Sequence, residues 1–116
     1  MNELDNLRSR LETFARERDW EQFHSPKNLS MALSVEVAEI AEHFQWLTEE
    51  QSRELDAAKR AEVEQELADV LIYLVRLADQ LGIDLLEAAQ RKLAVNEAKY
   101  PADKVRGSSR KYSEYD

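Results

Sequence analysis

The sequence predicts an all-α protein, a bundle of four main helices followed by a basic C-terminal tail. Three observations carry that prediction. Glycine and proline number only two each in 116 residues, so the chain has few places to break a helix. Its apolar residues, 43% of the total, recur at helical rather than alternating spacing. Capping residues stand where these periodic runs begin and end.

Leu4, Leu7, Leu11 and Phe14 fall at i, i+3, i+7 and i+10 and mark a first helix running to about Asp19. The next segment, WEQFHSPKN, reads as an irregular connector, because Pro26 lacks a backbone donor and disfavours helix at the residue before it. Asn28 is the expected N-cap of a second helix that ends near Trp46. Thr48 with Gln51 forms a capping-box pattern and opens a short helical turn through about Leu55. A third helix is expected from about Ala58 to Leu81, with Gly82 as its stop. Asp84 and Glu87 repeat the capping pattern ahead of a fourth helix, which Pro101 closes after Tyr100. No repeat or linker divides the chain. Residues 1–116 therefore read as one domain, with a helical core over 1–100 and a tail over 101–116.

Charge and residue usage exclude several functions. Acidic residues outnumber basic ones by 24 to 16, a net charge of −8, which is the wrong sign for a general binder of nucleic-acid polymers. A small anionic ligand still fits where charge is locally reversed or carried by metal. With no cysteine, disulfides, thiolate zinc sites and cysteine nucleophiles are all ruled out. No apolar run approaches the ~18 residues of a membrane span, and the charged N-terminus is unlike a signal peptide, so a cytoplasmic protein is expected.

The residues most suggestive of chemistry are two acidic dyads, Glu36/Glu39 and Glu66/Asp69, each at i,i+3 in a run that is otherwise largely apolar. Placing ionised carboxylates against a core is costly unless they are paired or bind metal. Leu33, Val37, Ile40 and Phe44 form the apolar stripe beside the first dyad, and Tyr73 extends the second. If the two helices face each other, four carboxylates meet as hard oxygen ligands suited to Mg2+ or Mn2+. A single E-x-x-E in so acidic a chain reads equally as a solvated helix face, and it is the coincidence of two dyads that favours metal. Lys92, Asn96 and Lys99 share one face of the fourth helix and suit phosphate oxygens. Lys104, Arg106, Arg110 and Lys111 give the tail its positive charge, as a phosphate grip or as a disordered basic end. Trp46 and Tyr73 read first as core aromatics and His24 as a surface histidine, with metal ligation by His24 disfavoured because magnesium prefers oxygen. Apolar residues on more than one face of these helices point to a homo-oligomer.

The order E-V-A-E, then E-L-A-D-V-L-I-Y, then K-L-A-V-N-E-A-K-Y-P resembles, over nearly the whole chain, the all-α nucleoside triphosphate pyrophosphohydrolases of the MazG-like superfamily. W-E-Q-F-H-S-P-K-N-L, F-Q-W and S-S-R-K-Y resemble its dCTP pyrophosphatase branch more narrowly. The resemblance implies a four-helix MazG-like bundle assembled as a tetramer, or at least a dimer. It implies a Mg2+-dependent enzyme (Mn2+ serving as well) that hydrolyses a nucleoside triphosphate, dCTP or a modified dCTP, to monophosphate and pyrophosphate in nucleotide-pool house-cleaning. Glu36, Glu39, Glu66 and Asp69 match the family's metal ligands, with Glu36 or Glu39 also orienting or deprotonating the attacking water. His24, Trp46 and Tyr73, with Trp20, match the pocket around base and deoxyribose, and Lys92 and Asn96 match contacts to triphosphate and sugar. Lys92, Lys99 and Arg110 would meet the outgoing pyrophosphate, and Arg110, Lys111 and Tyr112 match a tail that closes over the nucleotide. Gly107 departs from the branch pattern and bears on base selectivity alone. The same acidic site also accommodates dUTP, other NTPs or a phosphoribosyl-ATP-like substrate. A non-enzymatic acidic scaffold that binds divalent cations explains the charge but leaves the Lys92/Asn96/Lys99 stripe and the tail without a role.

Overall fold

A computed structural model describes residues 2–109 and Ser113. Arg110, Lys111 and Tyr112 lie outside the described residues. Among the described residues, six α-helices and one 3-10 turn between Glu21 and Phe23 make up the helical elements, in two compact units, one through Ile83 and one from Asp84 onward. None of the helices is long and apolar enough to cross a membrane.

The first unit opens with α1 (Glu3–Glu17), whose N-terminus is capped by Asn2 accepting from the Asp5 amide at 2.9 Å. Asp19, in the left-handed region at φ 56°, ends that run, two residues beyond the last helical one. The connector contains a 3-10 turn at Glu21–Phe23 rather than wholly irregular chain. It leads into α2 (Pro26–Phe44). The N-cap of α2 is Ser25, not Asn28, and Pro26 is its first helical residue. Proline suits that position because its missing amide has no partner there anyway and its φ is already helical. Ser25 Oγ accepts from the Asn28 amide at 3.1 Å, while the Asn28 side chain donates to the Phe23 carbonyl at 3.1 Å.

The short α3 (Glu49–Arg53) has the full capping box expected of Thr48 and Gln51. Asp56 caps α4 (Ala57–Gln80), and Gly82 follows it at φ 67°, a conformation glycine adopts without strain. In the second unit, Asp84 caps α5 (Leu85–Lys99), and a turn of helix, α6 (Ala102–Val105), occupies the first part of the tail.

Within the first unit α4 packs extensively on α2 and also on α1. The side-chain pairs give the directions. His43 near the end of α2 meets Lys59 and Glu62 near the start of α4, and Glu39, one turn earlier, meets Glu66, one turn later, so the two helices are antiparallel. Arg8 early in α1 reaches Asp79 near the end of α4, while Leu11, Phe14 and Ala15 further along α1 share a cavity with Asp69, Ile72 and Tyr73 earlier in α4, so α1 is antiparallel to α4 as well. Among the described residues the buried apolar set is small: Ala15, Leu29, Val63, Val75 and Ala78. The apolar runs that hold the two acidic dyads are only partly covered within one chain. Val37 is exposed, as are Met31 and Val35 on α2 and Leu67, Leu71 and Leu74 on α4, where the extensive packing among the described residues is with α2 and α1.

Candidate metal centre and adjoining cavity

Antiparallel packing sets Glu36 and Glu39 of α2 against Glu66 of α4, and one carboxylate oxygen from each lies within 4.8 Å of the others. All three side chains are half-buried, and Glu36 Oε2 and Glu66 Oε2 are sealed from solvent without a hydrogen-bond partner among the described residues. Burial pushes the Glu36 carboxyl up to about 7, helped by a hydrogen bond with Glu39 and by the charges of Glu39, Asp69 and Glu66. Glu66 is raised too, first by its hydrogen bond with Glu39, then by burial, and His43 opposes the shift. His43 Nε2 stands 3.7 Å from Glu66 Oε1, while its Nδ1 lies 3.3 Å from Lys59 Nζ and 3.7 Å from Glu62 Oε2. His43, four residues after Glu39, lies on the same helical face as the dyad. Lys59 had no such signal, because it comes from the partner helix.

Three converging carboxylates with two orphaned oxygens form a donor set that fits a hard divalent cation. Such a cation would satisfy both oxygens and relieve the repulsion that holds Glu36 neutral. Asp69 is placed differently. It is exposed and stands outside the trio, yet it is near enough for its charge to act on Glu36, and it lines a neighbouring cavity.

That cavity, about 260 Å³, lies between α1 and α4. Leu11, Phe14 and Ala15 form one wall and Ile72 and Tyr73 another, with Trp20 and His24 contributed by the connector. Phe14 and Trp20 meet edge to face, ring centroids 5.6 Å apart at 71°, and the Arg18 guanidinium stacks 3.7 Å over the Phe14 ring. Trp20, His24 and Tyr73 line this one cavity, with Asp69 beside them. Trp46 is not among them. Just past the end of α2 it is 87% exposed, so it is neither a core aromatic nor part of this wall.

Arg76, unmarked by the sequence reading, is the one buried charged residue among those described, 2% exposed, and it lines the same cavity. Its Nε donates to His24 Nδ1 at 3.3 Å and its NH1 to Asp79 Oδ2 at 3.4 Å, and Asp79 is also approached by Arg8 at 3.5 Å. The His24 pKa is lowered, mainly by burial and then by the Arg76 charge, with Glu21 opposing. The lone cation inside the apolar run L-A-D-V-L-I-Y-L-V-R-L was the signal available. In the second unit, α5 carries Lys92 and Lys99 exposed and Asn96 half-buried.

Residues 31–115 match the MazG-like family. The chain is 48% identical over 113 residues to dCTP pyrophosphatase 1 of Homo sapiens, covering 96% of this chain and 66% of that protein's length. It is 44% identical over 61 residues to a dATP/dGTP diphosphohydrolase of Cyanophage S-2L, covering 53% of this chain and 58% of that one. Among solved structures, a pyrophosphatase from Archaeoglobus fulgidus superposes with a TM-score of 0.80 at 42% identity, covering 87% of this chain and 94% of that one.

Proposed function

Because the chain belongs to the MazG-like family, we propose that it is a divalent-cation-dependent nucleoside triphosphate pyrophosphohydrolase, acting first on dCTP or a modified dCTP. The observation that carries this reading is the Glu36/Glu39/Glu66 cluster with its two orphaned oxygens, set near a cavity walled by aromatics. The names of the relatives, dCTP pyrophosphatase and dATP/dGTP diphosphohydrolase, support the reaction class.

Glu36, Glu39 and Glu66 hold the cation, Mg2+ or Mn2+, with Asp69 as the fourth carboxylate of the proposed set. A cation held by these residues would supply Lewis acidity toward phosphate oxygens and would offset the charge of a pyrophosphate leaving group. Glu36, with Glu39 as the alternative, orients a water and takes its proton as the oxygen attacks the α-phosphorus. The bond between the α-phosphorus and the bridging oxygen breaks, and monophosphate and pyrophosphate result. Trp20, His24 and Tyr73 take the base and deoxyribose. Trp46, exposed in this chain, joins that set on the resemblance alone. Lys92, Asn96 and Lys99, on one helix face, with Arg110, Lys111 and Tyr112 of the basic tail, serve as contacts to phosphate and sugar. Homo-oligomerisation, as a tetramer or a dimer, belongs to the same proposal and is supported by the apolar residues left exposed on α2 and α4.

The test incubates the purified protein with Mg2+ and each common NTP and dNTP, separating products by chromatography. Monophosphate plus pyrophosphate, fastest from dCTP, is expected. Turnover of another nucleotide moves the substrate and keeps the chemistry, whereas metal binding without any turnover returns the chain to a cation-binding scaffold.

A further inference from the structure

We propose that Arg76 is a positioning residue that fixes His24 in the tautomer protonated at Nε2, so that the cavity beside α4 presents a hydrogen-bond donor to the N3/O2 acceptor edge of a cytosine. The choice of ligand rests on the nucleotide reading above; the tautomer does not.

A guanidinium donates hydrogen bonds, accepts none and does not lose its proton. Arg76 Nε lies 3.3 Å from His24 Nδ1 and donates to it, so Nδ1 is unprotonated. A neutral imidazole with a bare Nδ1 carries its proton on Nε2. The burial and the Arg76 charge that lower the His24 pKa act in the same direction, keeping the ring neutral.

Packing alone does not account for Arg76. Its side chain is 3% exposed, and Nη2 is buried without a hydrogen-bond partner among the described residues, whereas an aliphatic residue at this point of α4 would leave no such nitrogen. Nε–H and one NH2 hydrogen share an edge of the guanidinium as a two-pronged fork. One prong is on His24, and the other is still to be met when an acceptor arrives beside the ring.

The ligand follows from the wall chemistry. Phe14, Trp20, Ile72 and Tyr73 suit a flat ring, and a neutral histidine donor suits an acceptor on its edge. Cytosine has adjacent N3 and O2 acceptors, while uracil and thymine carry N3–H at the same place and would set donor against donor. Arg76 therefore acts through His24 on the choice between cytosine and uracil.

Two measurements on the full chain decide this. Long-range 1H–15N spectra of the histidine side chains are expected to show His24 as Nε2–H with a bare Nδ1, its signals identified by their loss in His24→Phe. Arg76→Met should give averaged tautomer shifts, and Arg76→Gln, which keeps an N–H donor, should restore part of the fixed pattern. A wild-type His24 protonated on Nδ1, or an unchanged pattern in Arg76→Met, overturns the proposal. The second measurement compares kcat/KM for dCTP and dUTP. Arg76→Met and His24→Phe should each reduce the dCTP preference at least ten-fold, through KM, and the double variant should go no further than either. Additive losses, or equal losses for both nucleotides, overturn it. If Arg76→Met does not fold, the wild-type spectrum and the His24→Phe ratio carry the decision. A wild-type protein that hydrolyses no nucleotide removes the proposed activity and the choice of ligand together, while the spectrum still decides the tautomer.

Discussion

Glu36 keeps its proton up to about pH 7 because burial and three other carboxylates, Glu39, Asp69 and Glu66, all disfavour its charged form. In the unfolded chain the same group titrates near 4.5. Between those two values the folded state binds the extra proton, so the stability of the cation-free protein falls as pH rises from about 4.5 to about 7 and levels off above. Glu66, also raised, adds to the slope. Melting curves in EDTA should show this decline, Glu36→Gln should flatten it, and Mg2+ should raise the melting temperature most at the alkaline end. A melting temperature that climbs through the window contradicts the site's electrostatics. Glu39→Ala should reduce hydrolysis at least about 100-fold with helicity intact, the scale of losing a group that stabilises transition-state charge; full activity would remove Glu39 from the site. Asp69→Ala tests the fourth carboxylate, and an unchanged Mg2+ half-saturation would leave Asp69 to the cavity alone. At this scale the sequence was most readable where chemistry is written in one dimension, as with carboxylates in an apolar helix. Arg76 was just as visible as a lone cation, but its partner His24 is 52 residues away, and periodicity carries no information about that pairing.

Capping made the elements legible. Thr48 with Gln51, and Asp84 ahead of Glu87, do locally what their side chains dictate, and no tertiary contact is needed to place them. The start of α2 was misread because proline was taken as a helix breaker when at the first helical position it is a helix opener. A serine immediately before a proline is itself the signal. Ser25→Ala should therefore cost about 1 kcal/mol by removing the bond to the Asn28 amide. Asn28→Ala loses only the side-chain bond to the Phe23 carbonyl and should cost less in chemical denaturation. The reverse order would mean that the connector, rather than the cap, fixes the entry into α2. That connector also holds Trp20 and His24, so its conformation bears directly on the cavity. The 3-10 turn within it was not readable, since three residues set no period.

At the scale of the whole molecule the apolar pattern promised more burial than one chain delivers. Leu67, Leu71 and Leu74 fall at i, i+4 and i+7 on α4 and remain 36–55% exposed, although Val63 and Val75 of the same helix are buried. Full cover of one leucine is worth about 1.5–3 kcal/mol. Each of these three, already partly covered, stands to contribute a share of that to self-association. The opposing term is charge, because every subunit carries −8 and brings it to the interface. If the proposed oligomer is held by apolar cover against like-charge repulsion, it should tighten as salt screens the repulsion. Sedimentation at low and high ionic strength should show a larger or tighter species in high salt. Leu71→Glu, which adds both polarity and negative charge to the stripe, should shift the distribution toward smaller species and lower the melting temperature. An assembly weakened by salt would instead be held by ion pairs, and an assembly unaffected by Leu71→Glu would place the interface on another face. A wild-type monomer with full nucleotide hydrolysis would separate the catalytic proposal from the oligomeric one, because the carboxylate cluster and the cavity are both built from residues of a single unit.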